Sequence, residues 1–304
     1  MKTRNLIFSA LMFFLIFPLQ AQVTEAEKKL KTLETDTLTG WKTGGIAGIN
    51  LSQTSLTHWA AGGQSSVAAN SLFSVFANYK SPENVWDNSL DVGYGLLQQG
   101  QHTGYLKTDD KIDFLSKYGR KAFKDFYYAA LVNFKTQFSP GYNYPNDSVK
   151  ISNFMAPAYL LGALGLNYQP NASFNAFLAP VTYKLTIVNN DTLSAAGEFG
   201  VEPGKKSKSE FGGYARFIYS KADFKGEFFK NVSFTTKLDL FSNYLKDPQN
   251  VDVSWETQIA MKVNDYIAVN FNTHLMYDAD TKVDGGAAKV QFKEILGVGF
   301  LYKF

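Results

Sequence analysis

The chain has 304 residues, with 30 Lys and Arg against 27 Asp and Glu, and its formal net charge of +3 is too small to be the basic footprint of a nucleic-acid-binding protein. It has no cysteine, which excludes disulfides, thiolate catalysis and cysteine-type zinc sites together. Aromatic residues reach 15% and charged residues only 19%, below the roughly 25% of an ordinary soluble domain.

In chain order, Lys2 and Arg4 precede an apolar run from Leu6 to Phe17, followed by Pro18-Leu19-Gln20-Ala21-Gln22. A basic start, a short apolar stretch and a small residue before a polar one read as a secretory signal peptide over residues 1–21, cleaved after Ala21. The run is shorter than the roughly 20 residues a spanning helix needs, and no later stretch has the roughly 18 uninterrupted apolar residues of one. Residues 22–40 are expected to be a periplasmic lead, with a Thr24 cap, early acids and later lysines over Thr24–Glu34 suited to a short helix.

From Trp41 the pattern changes to period two, the geometry of a strand whose successive side chains point to opposite faces. Long strands are predicted at roughly 41–54, 64–80, 85–98, 108–121, 124–139, 153–169, 173–188, 209–221, 231–245, 250–263, 266–279 and 289–304, with edges uncertain by about 2–4 residues. Val232, Phe234, Leu238 and Leu240 alternate with Ser233, Thr235, Lys237 and Asp239. Val251, Val253, Trp255, Ile259 and Met261 alternate with Asp252, Ser254, Glu256, Gln258 and Lys262. Phe126, Tyr128, Val132 and Phe134 alternate with Asn133 and Lys135. Short connections near 81–84, 120–123, 169–172 and 264–265 alternate with the longer segments 55–63, 99–107, 140–152, 189–208 and 280–288. Lengths of about 13–17 residues exceed the roughly 5–6 of soluble sandwiches and suffice to cross hydrocarbon. The expected fold is all-β: a closed antiparallel transmembrane barrel of the outer-membrane type over 41–304, with 12 strands. Segment 192–202 also reads as strand-like, within an outer hairpin; counting it and a partner gives 14.

The final strand carries Leu296, Val298, Phe300, Tyr302 and Phe304 at every second position and stops on an aromatic. It resembles the C-terminal strand by which outer-membrane barrels are recognised for assembly. That resemblance implies an outer-membrane location with both termini periplasmic, and contact with the barrel-assembly machinery during biogenesis and with outer-membrane lipid thereafter.

Several ordered blocks carry a more specific likeness: Trp41–Gly45, Leu56–Gly63, Trp86–Leu90, Lys107–Lys111, Phe134–Phe138 and Ser152–Tyr159. They resemble the Bacteroidota family catalogued as domain of unknown function 3078, over about residues 40–304. The resemblance implies an outer-membrane barrel and brings no reaction, substrate or catalytic residue.

Constellations with chemistry are few. The histidines are His58, His102 and His274, and none sits in the His-x-Ser-Asn-Gly pattern of outer-membrane phospholipases. No serine lies on the strand of His274 within its reach, which leaves only a cross-strand partner for a base. Gly200–Ser207 is one residue short of a phosphate loop and has Lys206 where Ser or Thr must stand, so it reads as a charged loop tip. Asp278–Gly286 has a lysine, Lys282, at a ligand position of the calcium-loop pattern, and reads as a solvated turn. No metal or cofactor is expected. Leu56–Gly63 is either an inward constriction, a partner contact or a rim anchor through Trp59.

The polar face is expected to line the interior with both signs of charge: Asp87, Asp91, Lys135, Lys184, Arg216, Lys237, Asp239, Glu256, Lys262 and Lys293, with His274 beside them. Such a lumen suits a small channel for small polar solutes. The alternatives are a non-conducting barrel that is a scaffold or subunit of a cell-envelope assembly, with an envelope protein as partner, and, further off, a lipid-modifying enzyme.

Overall fold

Period-two sequence resolves into strands far longer than those of soluble sheets. A computed structural model of the protein describes residues 39–56, 64–100, 104–144, 146–222, 224, 229, 231–264, 267–280 and 288–303. The strands in chain order are β1 (Gly40–Thr54), β2 (Ser66–Lys80), β3 (Asn84–Gln99), β4 (Leu106–Phe123), β5 (Phe126–Thr136), β6 (Gly141–Tyr142), β7 (Lys150–Ser152), β8 (Ala158–Asn171), β9 (Phe174–Ile187), β10 (Ser207–Lys221), β11 (Val232–Asn243), β12 (Val251–Lys262), β13 (Ile267–Tyr277) and β14 (Gln291–Lys303). All but β6 and β7 join one antiparallel sheet in the order β1-β14-β13-β12-β11-β10-β9-β8-β5-β4-β3-β2, and β2 returns to β1, so the sheet closes as a barrel of 12 strands. β6 and β7 form a separate two-stranded sheet within the β5–β8 connection. Among the described residues no helix is long and apolar enough to cross a membrane.

The two faces of the wall are inverted relative to a soluble protein. Tyr128, Val132, Leu164, Leu178 and Trp255 point outward and are exposed, whereas Asn133, Lys237 and Asp239 point inward and are buried. Trp41, Tyr79 and Trp86 meet across β1, β2 and β3 with ring centroids 5.5 and 5.6 Å apart, and Phe126 stacks on Tyr168 at 4.6 Å, all near the end where the tight turns lie. At the long-loop end Tyr94 meets Phe138 and Phe211 meets Tyr244. The apolar band therefore has an aromatic rim at each end.

Register is shifted at bulges, which re-aim side chains and tighten the local twist. Opposite Gly212 and Tyr214, β9 jumps from Thr182 to Ala179, so Pro180 and Val181 face Gly213 alone. Proline has no N–H to give a ladder and is tolerated at such a place. A Cβ on Gly212 would meet the Ser242 carbonyl oxygen at 1.9 Å, and one on Gly165 the Leu178 carbonyl oxygen at 2.0 Å, so the wall here accepts only glycine.

Two expectations need correction. Segment 192–202 is not a strand: Asp191–Ala196 forms a short helix, α1, followed by a 3-10 turn at Glu198–Gly200. The signals are local, with the Asn190 side chain accepting from the Leu193 N–H and Gly197 closing the helix at φ 71°. Leu193 packs with Ala156, Val188 and Val201 in a small core within the loops. The strand expected from residue 153 starts at Ala158, because Asn153 and Ala156 pair with each other ahead of it.

The closing seam carries a prediction. β1 meets β14 through Ile46↔Lys303, Ala47↔Tyr302, Gly48↔Leu301 and Ile49↔Phe300. Opposed residues lie within the Cα spacing of about 4.4–6.8 Å that a disulfide needs. With no native cysteine to compete, Gly48→Cys/Leu301→Cys should form an intramolecular disulfide on mild oxidation, seen as a reducible mobility shift. The out-of-register pair Gly48→Cys/Lys293→Cys should not. Failure of the first pair to link in folded protein would mean that the wall is open at β1 and β14.

Candidate functional site

The interior is built from the inward residues of every strand, and cross-strand register decides which of them meet. Arg216 stands opposite Asp239, Lys237 opposite Glu256, and Glu256 opposite His274, giving a charged row across β10, β11, β12 and β13. Arg216 donates Nε to Asp239 Oδ1 at 2.5 Å and Nη2 to Oδ2 at 3.1 Å, and the Tyr214 hydroxyl donates to the same carboxylate at 2.7 Å. Lys237 Nζ lies 2.6 Å from Glu256 Oε1. A charge taken out of water is tolerable only with such a partner.

Lys184 on β9 reaches over three strands, to Asp252 of β12 at 2.8 Å, with Glu210 at 3.5 Å and Asp278 at 3.9 Å. Its ammonium also stands 4.9 Å from the centre of the Phe241 ring. Lys135 pairs with Asp113 at 3.6 Å, and Lys117 bridges Asp87 at 3.6 Å and Asn167 at 3.2 Å. Asp91 accepts from the Ser74 hydroxyl in a buried, short hydrogen bond. The structure thus brings Lys135, Lys184, Arg216, Lys237, Asp239, Glu256 and His274 to one interior. Lys262, opposite Ala268, lies on that face but is exposed at the short-turn end, apart from the charged row.

His274 has the cross-strand serine that the sequence leaves open: Ser254 on β12, with Oγ 2.9 Å from Nε2. The neighbouring Glu256 is held by Lys237, so among the described residues it is not committed to orienting the histidine as a catalytic pair requires. His58, His102 and the loop 57–63 lie outside the described residues, as do residues 281–287 of the calcium-like segment. Within that segment Asp280 is taken up by Lys208 at 2.6 Å and Lys246 at 3.1 Å. Among the described residues no cluster suits a metal ion. Leu296, Val298, Phe300 and Tyr302 occupy alternate positions of β14, and Phe304 lies outside the described residues.

Sequence reasoning missed the apolar part of the interior. Leu131, Phe177, Tyr214 and Phe241 pack with Ala129, Ala163 and Ala179 inside the wall, flanked by Leu115 and Leu161. This layer runs over six adjacent strands, from β4 to β11, and Phe177 is 0% exposed. Below it, toward the tight turns, lies a cavity lined by Asp87, Asp113, Lys117 and Arg216; above it lies the Lys184 cluster. Glu210, Asp252 and Lys208 were also missed as a group, although the alternation at Asp252 was plain, because loops join them to Asp278 and Asp280.

Three of the family-like blocks meet at the long-loop rim. Asp110 accepts from the Phe138 and Ser139 N–H groups, and Lys107 donates to Asp110, Gln137 Oε1 and the Ser139 carbonyl. The Gln137 amide donates to the Asn153 and Ala156 carbonyls, and Thr136 Oγ1 to the Pro157 carbonyl. Lys107–Lys111, Phe134–Phe138 and Ser152–Tyr159 therefore form one clasp that ties the β5–β8 connection to β4.

Two predictions follow from these pairs. Asp239→Leu leaves the Arg216 guanidinium buried without its partner and should cost about 3–5 kcal/mol in denaturant unfolding from lipid vesicles, with Arg216→Met/Asp239→Leu recovering most of it. For Asp280, burial alone would raise the carboxyl, but the Lys208 and Lys246 ammonium groups outweigh it and hold the carboxyl below its ordinary range. A group lowered in the folded state stabilises above its ordinary value of about 3.9, and that contribution is lost as pH falls through the lowered value. The loop contact should hold at neutral pH and open only under acid. Lys246→Ala should move the Asp280 titration upward in carboxyl-carbon NMR; an unmoved titration would refute the contact.

Solved structures similar to this chain include a NanC porin, at 9% identity and a TM-score of 0.41 over 84% of this chain and 98% of that one. Another is an outer membrane channel from Pseudomonas putida F1, at 9% identity and a TM-score of 0.42 over 94% of this chain and 100% of that one. Likeness at that level carries no weight for function. No curated protein matches the sequence. The match falls short of the span expected and leaves Trp41–Gly45 and Ser152–Tyr159 outside it: residues 51–142, from the end of β1 to β6, match the profile of the family described as protein of unknown function (DUF3078).

Proposed function

We propose that the protein is an outer-membrane β-barrel whose interior is a narrow passage for small polar solutes. The outward band supports the membrane part. A water-soluble monomer rarely exposes contiguous apolar surface beyond a few hundred Å2, and here Tyr128, Val132, Leu164, Leu178, Val181 and Trp255 share an outer face with aromatic rims at both ends. β1 begins and β14 ends at the tight-turn end, which is the periplasmic end in this reading.

One observation carries the passage. Lys111 and Lys135 lie inside the closed wall, yet their side chains keep 38% and 35% of their surface exposed. That exposure supports a wet interior on the side of Lys111 and Lys135. The second reading, a non-conducting scaffold with an envelope protein partner, is favoured by a different observation: the Leu131–Phe177–Phe241 layer fills the bore against half of the wall. Among the described residues the Ser254–His274 contact is what the interior offers toward lipid chemistry.

Planar-bilayer recording separates the two. Purified protein should give small discrete current steps, and Phe177→Ala, which shortens the apolar layer, should enlarge them. Silence across many verified insertions, in the native chain and in Phe177→Ala, would leave the scaffold.

A further inference from the structure

The apolar layer draws on β4 to β11, and the wall that faces it is formed by β13, β14, β1 and β2, which are neighbours in the sheet. Parity fixes the inner face of this arc. Trp41, Ile49 and Leu51 of β1, Val67 and Phe73 of β2 and Phe292 of β14 are exposed on the outside, so the alternate positions point inward. Gly44 and Gly48 of β1 and Gly297 and Gly299 of β14 hold inward positions, and a glycine projects nothing into the bore.

The charge of this arc has one sign. β1, β2 and β13 contain neither Asp nor Glu, and the acid of β14, Glu294, shares the outer face with Phe292. The same parity puts Lys42, Lys80 and Lys293 on the inner face. Lys42 and Lys80 stand at the tight-turn end, and Lys293 stands opposite His274 toward the long-loop end.

The flanking strands do not reverse that sign. On β12, Asp252 is paired with Lys184 and Glu256 with Lys237. On β3, Asp87 is paired with Lys117, and Asp91 accepts from Ser74 and is buried. On β4, Asp109 lies toward the long-loop rim, and the single carboxylate of Asp113 lies between two ammonium groups, Lys111 at 3.9 Å and Lys135 at 3.6 Å. The acids next to the open arc are thus largely buried or paired, whereas Lys42 and Lys293 are exposed and Lys111 and Lys135 partly so. Charge of one sign along a low-dielectric wall raises the local concentration of the opposite ion, and lysine or arginine linings are the usual device of anion pores.

We propose that the passage prefers anions and carries small anionic solutes along the β13–β14–β1–β2 arc, drawn by Lys42 and Lys80 at one end and by Lys111, Lys135 and Lys293 at the other. The preference rests on the passage proposed above.

The test is the reversal potential of the full chain in a planar bilayer, under a KCl gradient and then a potassium acetate gradient. The anion-to-cation permeability ratio should exceed unity in both salts. Lys293→Glu and Lys42→Glu should each lower it about threefold, the scale of a unit charge acting through water. Glu294→Gln, on the outer face of the same strand as Lys293, should leave it unchanged. Heat-modifiable migration identifies folded variants, and Lys293→Gln, with a smaller fall, decides if neither charge reversal folds. A ratio at or below unity in either salt, or a ratio unmoved in every folded lysine variant, would overturn the preference and leave the passage standing. Silence across verified insertions would remove the passage and the preference together.

Discussion

A chain that turns its large apolar side chains outward must satisfy its backbone without help from its surroundings. In hydrocarbon an unpaired N–H or C=O costs several kcal/mol, and a sheet edge is a row of them. The antiparallel ladder from β1 around to β14 and back is the constraint on which everything else here depends. Once the ladder is continuous, period two forces one face out and the other in. The inward face then holds whatever the outer face cannot. Charged residues inside are a consequence of closure, and their pairing is a consequence of register: Arg216 with Asp239 and Lys237 with Glu256 are direct cross-strand neighbours.

The interior is not uniform along its axis. Along half of the wall, a layer of Leu131, Phe177, Tyr214 and Phe241 lies between the cavity at the tight-turn end and the lysine-acid cluster at the long-loop end. Each compartment has its own logic. In the cavity Lys117, Arg216 and Lys237 are each paired with an acid. In the outer cluster Lys184 and Lys208 gather Glu210, Asp252, Asp278 and Asp280 from β10, β12 and the loop after β13, so charge pairing ties the loops to the wall.

Much of this was legible in the sequence. Alternation placed each long strand within a few residues, apart from the late start of β8, and it put Lys237, Asp239 and Glu256 on the inner face because their neighbours Leu238, Leu240 and Trp255 belong outside. Where both faces are apolar, alternation says nothing. Ala129–Val132, Ala158–Leu166 and Ala176–Ala179 are nearly continuous apolar runs, which signals burial on both sides but not which residues point inward. That is why Leu131 and Phe177 were missed. Pairings such as Lys184 with Asp252 depend on register and on the bulge at Pro180, which no single strand announces. Helix α1 hid because its capping signals, Asn190 and Gly197, sit in a segment that also alternates.

The one-sided apolar layer makes the cylinder mechanically lopsided. Close-packed side chains resist compression as an organic crystal does. The arc from β4 to β11 is thus braced from within, while the arc that carries Glu256 and His274 leans on polar contacts. Lateral squeezing by its surroundings would be taken up by ovalisation of the unbraced arc, so any change of bore should be asymmetric, hinged on β4 and β11.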